Sequence, residues 1–307
     1  MATIGFIGLG AMGRHMAASL QRAGHELRVH DARREAAEAH LAAGAAWADH
    51  AADAARGAEV VFTSLPGPAE VEAVALGPAG LREGLREGAV WFDLSTNSPG
   101  CIRRLHATMA ERGAHLLDAP VSGGPHGAQS GKLALWVGGD HPVFDRYRPV
   151  LAQIGDQPYY VGPIGAGTVA KLAHNCASFT VQAVLAEAFT LGVKAGVEPL
   201  ALFRALRQGA SGRARTFDRL PEHFLAGKFD PPAFALRLAH KDMTLALDLA
   251  REHGVPMRMG GVALEELSAA MDRGWGERDA RVAMVLQEER AGVSVRVAPE
   301  ELRGALD

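Results

Sequence analysis

Lys171 and Asn175 stand four residues apart in the run 165–175, GAGTVAKLAHN, whose other members are mostly small or apolar. In a helix that spacing puts both side chains on one face. A lysine among apolar neighbours has its charged form penalised, so its amine becomes usable as a base. Such a group takes the proton of an alcohol as hydride leaves carbon, and returns it when a carbonyl is reduced. Asn175 can hold the same oxygen without adding charge. His174 points roughly the same way, as a helper in proton transfer or as a packing partner. The competing reading of Lys171 is a side chain that snorkels from a buried helix.

Two further groups have spacing suited to chemistry. Ser122-Gly123-Gly124 combines a hydroxyl with closely exposed backbone N–H groups, which suits a small carboxylate; the alternative is a tight turn without a ligand. Gly8-Leu9-Gly10-Ala11-Met12-Gly13 lies between an apolar run, Ile4–Ile7, and a helix-like segment reaching about Ala23. There Gly8 permits the turn, Gly10 lets backbone approach a pyrophosphate, and Gly13 lets helix pack on strand. Asp31 ends the next apolar run, where a carboxylate accepts hydrogen bonds from ribose hydroxyls and repels a 2′-phosphate. That favours NAD. Arg33 and Arg34 would pair with the phosphate, so NADP stays open. Lys241-Asp242 is a second charged pair in an apolar pattern, either approaching the site or forming a partly exposed ion pair.

These groups need a scaffold. Apolar strand-like runs recur at Glu59–Ser64, Ala89–Asp93, Leu116–Ala119 and Leu133–Gly138, with helical patterns between them. That order predicts a mostly parallel sheet with helices on both faces. Leu65-Pro66, Ser95-Thr96-Asn97 and Ser122-Gly123-Gly124 all follow strands, and ligands of such sheets bind beyond the carboxyl ends of strands. From Gly165 to about Gly196 the chain predicts one long alanine-rich helix. Helical patterns follow at Pro199–Arg207, Thr216–His223, Ala233–His253, Gly261–Arg273 and Ala280–Glu288, then a short strand-like run, Val293–Val297. The reading is α/β: a Rossmann-type domain over 1–163, then a long connecting helix and an all-helical domain over 164–307. Apolar residues on several faces of the long helices predict burial within the domain or against a second copy of the chain.

Composition narrows the class. The 307 residues, 48% hydrophobic and 22% charged with a formal net charge of -3, describe a folded protein rather than a disordered one. No dense basic stripe predicts nucleic acid as a partner. Cys101 and Cys176 form neither a CxxC pair nor a metal-ligand group, so no metal is expected and a thiol-tolerant cytoplasm is the simplest setting. No cationic leader and no long uncharged apolar span predicts a membrane role.

The motifs together resemble the β-hydroxyacid dehydrogenase family, which includes 3-hydroxyisobutyrate dehydrogenase, tartronate semialdehyde reductase and 6-phosphogluconate dehydrogenase. The resemblance is carried by IGFIGLGAMGRHMAASLQRAGH at 4–25, SLP at 64–66, DLST at 93–96, DAPVSGG at 118–124, GKLALWVGGD at 131–140, GAGTVAKLAHN at 165–175 and KDMTLALDLA at 241–250. It implies NAD or NADP held by Gly8, Gly10, Ala11, Met12, Gly13, Asp31, Leu65, Pro66, Thr96 and Lys241. It implies a small carboxylate substrate on Ser122, Gly123, Gly124, Thr96 and Lys241, with Lys171 as general acid/base and Asn175 holding the substrate oxygen. It also implies a homo-oligomer, dimer or tetramer, through the helical domain. Retention of Lys171 argues against imine reductases, which resemble this fold but generally replace that lysine. His174 is more like 6-phosphogluconate dehydrogenase, and Asn97 stands where an apolar residue is frequent. The competing functions are imine or ketone reduction, and a non-catalytic dinucleotide sensor.

Overall fold

The computed structural model describes residues 2–214, 220–252, 254–292, 294–298 and 300. It divides into two compact units, Met1–Ala177 and Ser178–Asp307. The first holds nine strands: β1 (Thr3–Ile7), β2 (Glu26–His30), β3 (Ala46–Trp47), β4 (Val60–Thr63), β5 (Val90–Asp93), β6 (His115–Asp118), β7 (Val121–Ser122), β8 (Ala134–Gly138) and β9 (Gln157–Gly162). Its helices are α1 (Gly13–Arg22), α2 (Glu38–Ala42), α3 (Ala51–Ala55), α4 (Pro68–Leu76), α5 (Leu81–Gly84), α6 (Pro99–Ala110), α7 (Gly124–Ser130) and α8 (His141–Leu151).

The strands run β3-β2-β1-β4-β5-β6-β8-β7, with β9 on the far side of β8. Pairing is parallel from β3 to β6, antiparallel where β8 meets β6 and β7, and parallel again between β8 and β9. Strands β4 and β5 are buried at every residue, as expected of parallel strands covered on both faces. Alternation then sorts their side chains. Phe6, Phe62, Phe92 and Leu117 enter one core, while Ile7, Val61, Trp91 and Leu116 enter the other.

This sheet brings the carboxyl ends of four strands level. Ile7 pairs with Thr63, Thr63 with Asp93, and Asp93 with Asp118. Three strand steps separate the first from the last, or about 14 Å. The outer strands differ in kind. β3 has two residues, and β9 carries Pro158 beside exposed Tyr159. The Gln157 N–H points inward to Leu133 O, so the Pro158 nitrogen faces the open side.

The 29-residue helix α9 (Ala166–Lys194) follows β9, then come α10 (Pro199–Gln208), α11 (Ala210–Arg213), α12 (Leu236–Glu252), α13 (Arg258–Asp272) and α14 (Val285–Ala291). The core of the second unit gathers Phe224, Phe229, Leu236, Ala270, Val282 and Leu286. Two expectations need correction. The helix expected at 216–223 falls partly outside the described residues, and the described part is a π-helical turn, Pro221–Leu225. Residues 294–298 form no strand. Instead the Val295 N–H donates to Glu288 Oε1 at 2.5 Å and the Val297 N–H to Leu225 O at 3.0 Å. Arg296 pairs with both oxygens of Glu288, so this segment is tied to helices.

Candidate active site and dinucleotide cleft

The glycine turn is fixed by packing on one side and left open on the other. Gly8 has φ +92°, and a Cβ at Gly13 would overlap the Gly8 carbonyl oxygen. A Cβ at Gly10 would meet nothing within 4 Å. Gly10 borders a cleft of about 580 Å³ that is also lined by Gly8, Ala11, Met12, Gly13, Asp31, Leu65 and Pro66. Helix α1 starts there without a capping side chain or an acidic residue in its first turn. Its positive end is therefore available to an anion. The open side of the turn, the uncapped helix and the acid beyond them fit a dinucleotide.

Asp31 also does something the sequence reading missed. Its Oδ2 accepts the Leu9 N–H at 2.7 Å and its Oδ1 accepts the Arg33 N–H at 2.9 Å. The carboxylate braces the turn while two of its roughly four acceptor positions remain for hydroxyls. Arg34 lies over the Trp47 ring, 5.0 Å from its centre, whereas Arg33 is exposed at the cleft. Glu70 and Val74 of α4 line the cleft as well. Their four-residue spacing beyond Leu65-Pro66 was the signal that could have found them.

At the next strands a buried carboxylate orders the loop bearing Thr96. Asp93 accepts from Thr63 Oγ1 at 2.8 Å, from the Ser95 N–H at 3.2 Å and from Asn97 Nδ2 at 3.0 Å. Trp91 Nε1 donates to Thr63 Oγ1, and the Leu65 N–H donates to Ser95 Oγ. Burial pushes the Asp93 pKa up, against the pull of those hydrogen bonds. Thr96 is exposed between buried Ser95 and Asn97. Asn97 therefore holds the loop from beneath; its side chain is spent on Asp93.

Asp118 does the same for α9. Its Oδ1 accepts the Gly165 N–H at 2.7 Å, and its Oδ2 accepts the Thr168 N–H at 2.6 Å and Thr168 Oγ1 at 2.8 Å. A Cβ at Gly138 would stand 2.5 Å from Asp118 Oδ1 and 2.9 Å from Ala166 N, so the helix start lies directly on β8. Lys171 follows within two turns, half-buried, and burial lowers its pKa from the ordinary lysine value. Its Nζ is 5.9 Å from the centre of the Trp136 ring, and the His174 ring lies 5.1 Å from that indole. His174 Nδ1 and Asn175 Oδ1 are 3.3 Å apart. Trp136 was quoted in the sequence only as part of a motif; the pairing of β8 with α9 reveals it.

The first unit thus gathers the glycine turn, Asp31, Leu65 and Pro66, the residues expected to hold the cofactor, around one cleft, and places Thr96, Ser122, Lys171 and Asn175 on elements anchored at the carboxyl edge. Ser122 is half-buried, with Gly123 and Gly124 exposed at the start of α7. Lys241 lies on α12 in the second unit, and the side chains of Lys241 and Asp242 are outside the described residues, as is that of Cys176. Cys101 is a buried free thiol. Among the described residues there is no group of side chains able to hold a metal, and no helix long and apolar enough to cross a membrane.

Comparison with known proteins agrees with the fold and with dinucleotide binding. Residues 3–162 match the family model described as the NAD binding domain of 6-phosphogluconate dehydrogenase, and residues 165–286 match that for NAD-binding of NADP-dependent 3-hydroxyisobutyrate dehydrogenase. The 2-(hydroxymethyl)glutarate dehydrogenase of Eubacterium barkeri is 36% identical over 292 residues, covering 95% of this chain and 97% of that one. The chain belongs to the β-hydroxyacid dehydrogenase family. It is an NAD(P)-dependent oxidoreductase. The Mycobacterium tuberculosis 3-hydroxyisobutyrate dehydrogenase solved with L-serine is 33% identical, with TM-score 0.65 over 93% of this chain and 99% of its own. An imine reductase from Pseudomonas sp. has TM-score 0.79 over 92% and 98% of the two chains, but at 19% identity it shares the fold alone.

Proposed function

We propose that this member interconverts a small 3-hydroxy acid and its semialdehyde or keto acid, with NAD preferred over NADP. The observation that carries the reading is Lys171: half-buried on α9, its pKa lowered by burial, with Asn175 one turn further on. The neutral amine accepts the hydroxyl proton during oxidation, and the ammonium donates it during reduction. Asn175 holds the same oxygen. Ser122 Oγ and the backbone N–H groups of Gly123 and Gly124 take the carboxylate, and Thr96 faces the reacting end. The dinucleotide supplies the hydride acceptor or donor, its pyrophosphate resting on the turn of Gly8, Gly10, Ala11, Met12 and Gly13. Leu65, Pro66 and Asp31 hold the remainder.

Lys241 is the candidate substrate contact within residues 164–307, which carry homo-oligomer assembly. Val181, Val184 and Leu185, exposed on α9, support that part of the reading. A cytoplasmic setting suits the free thiol of Cys101.

A substrate panel tests the assignment. A 3-hydroxy acid should be oxidised with kcat/KM at least tenfold above its amide, because the amide forfeits the charge-assisted hydrogen bonds of the carboxylate seat. Turnover confined to uncharged alcohols or cyclic imines would overturn it. For the cofactor, fluorescence titration should show NADH binding at least tenfold more tightly than NADPH. Asp31→Ala should weaken NADH more than NADPH, since the carboxylate that favours one repels the phosphate of the other. Equal affinities in the unaltered protein would assign control to Arg33.

A further inference from the structure

We propose that Trp136 is a specificity-determining residue of this site: its indole closes the space between Ser122 and Lys171, so that only a compact hydroxy acid is accommodated. The inference rests on the reading of Ser122 and Lys171 given above. Ser122 on β7 is the register partner of Ala134 on β8. Trp136 stands two residues further along the same strand, on the same face, and such diagonal neighbours are about 7–8 Å apart, within reach of an aromatic side chain. From the other side, Lys171 and His174 of α9 lie against the indole at 5.9 and 5.1 Å. The ring of β8 therefore meets α9, which is distant in sequence, and stands diagonal to Ser122 of β7.

The backbone that carries the ring has little freedom to retreat. The Trp136 backbone N–H donates to Pro120 O at 3.2 Å, and a Cβ at Gly167 would overlap the Trp136 carbonyl oxygen, so strand and helix are already in closest approach. The indole itself has only two side-chain torsions and remains half-buried, leaving part of its surface uncovered. A short acid reaches from the Ser122 turn to the Lys171 amine across this surface. A substituent directed at the indole meets a rigid wall.

The test uses the full-length protein with NAD and compares kcat/KM for two kinds of acid. The compact probe is the best of 3-hydroxypropionate, 3-hydroxyisobutyrate and L-serine; the bulky probe is 2-(hydroxymethyl)glutarate. The unaltered protein should favour the compact probe at least tenfold. Trp136→Ala and Trp136→Leu should each raise the bulky-to-compact ratio at least tenfold, while Trp136→Phe, which keeps a flat ring, should stay near the parent. NADH binding by fluorescence reports that each variant is folded. A ratio changed less than twofold in both truncations with NADH binding intact, a parent that already prefers the bulky probe, or loss of NADH binding in every variant would each overturn the inference. A parent that binds NADH and oxidises none of these acids would defeat the hydroxy-acid reading itself.

Discussion

Lys171→Ala should leave NADH affinity within about twofold and cut kcat by roughly 10²–10⁴, the range typical of a positioned acid/base group. The side chain is half-buried and far along the sequence from the glycine turn, so its loss removes proton transfer without disturbing the dinucleotide cleft. The pH profile gives a second readout. Oxidation requires the neutral amine, so its rate falls as the pH drops through the Lys171 pKa. Because burial lowers that pKa, the acid limb should lie below the ordinary lysine value of about 10.4 and vanish in the variant. Steady-state kinetics in the oxidation direction measure both effects. Activity within a few-fold of the parent, or an unchanged acid limb, would remove Lys171 from the chemistry.

Asp118→Ala should strongly destabilise the first unit while leaving the candidate cofactor residues in place. It strands the Gly165 N–H, the Thr168 N–H and the Thr168 hydroxyl at a site where Asp118 is fully buried. Each unsatisfied donor costs about 1–3 kcal/mol, and partial entry of water brings the expected loss to roughly 3–5 kcal/mol. In a unit of this size that lowers the melting temperature by about 10 °C. Since the stranded groups begin the helix carrying Lys171, kcat should fall as well, with Asp118→Asn intermediate in both because it keeps one acceptor oxygen. Calorimetry decides the stability effect; a transition within 2 °C of the parent would show that α9 is held by its packing alone.

The glycine turn, the alternation of strands with helices and the long helix were legible because each is encoded locally, by glycine spacing, by apolar runs and by the absence of proline and near-absence of glycine over 166–194. The residues that position the site were not. Asp118 reads as one letter of DAPVSGG, yet its partners lie 47 and 50 residues on. Asn97 read only as a polar residue where an apolar one is frequent, but its amide is turned inward to Asp93. Asp31 was read as a ribose ligand, and only the folded turn shows it accepting two backbone N–H groups. β7 has two residues and β9 contains a proline, so neither has a periodicity to read. The strand-like pattern at 293–297 failed for the opposite reason: its donors found helices and a glutamate before they found a ladder.

The two outer strands have a consequence for life at high concentration. A sheet ends safely only if its last strand cannot recruit another chain. β3 is too short to template one, and Pro158 removes a donor from the open side of β9. Nascent copies emerging together are thereby discouraged from fusing edge to edge into aggregates.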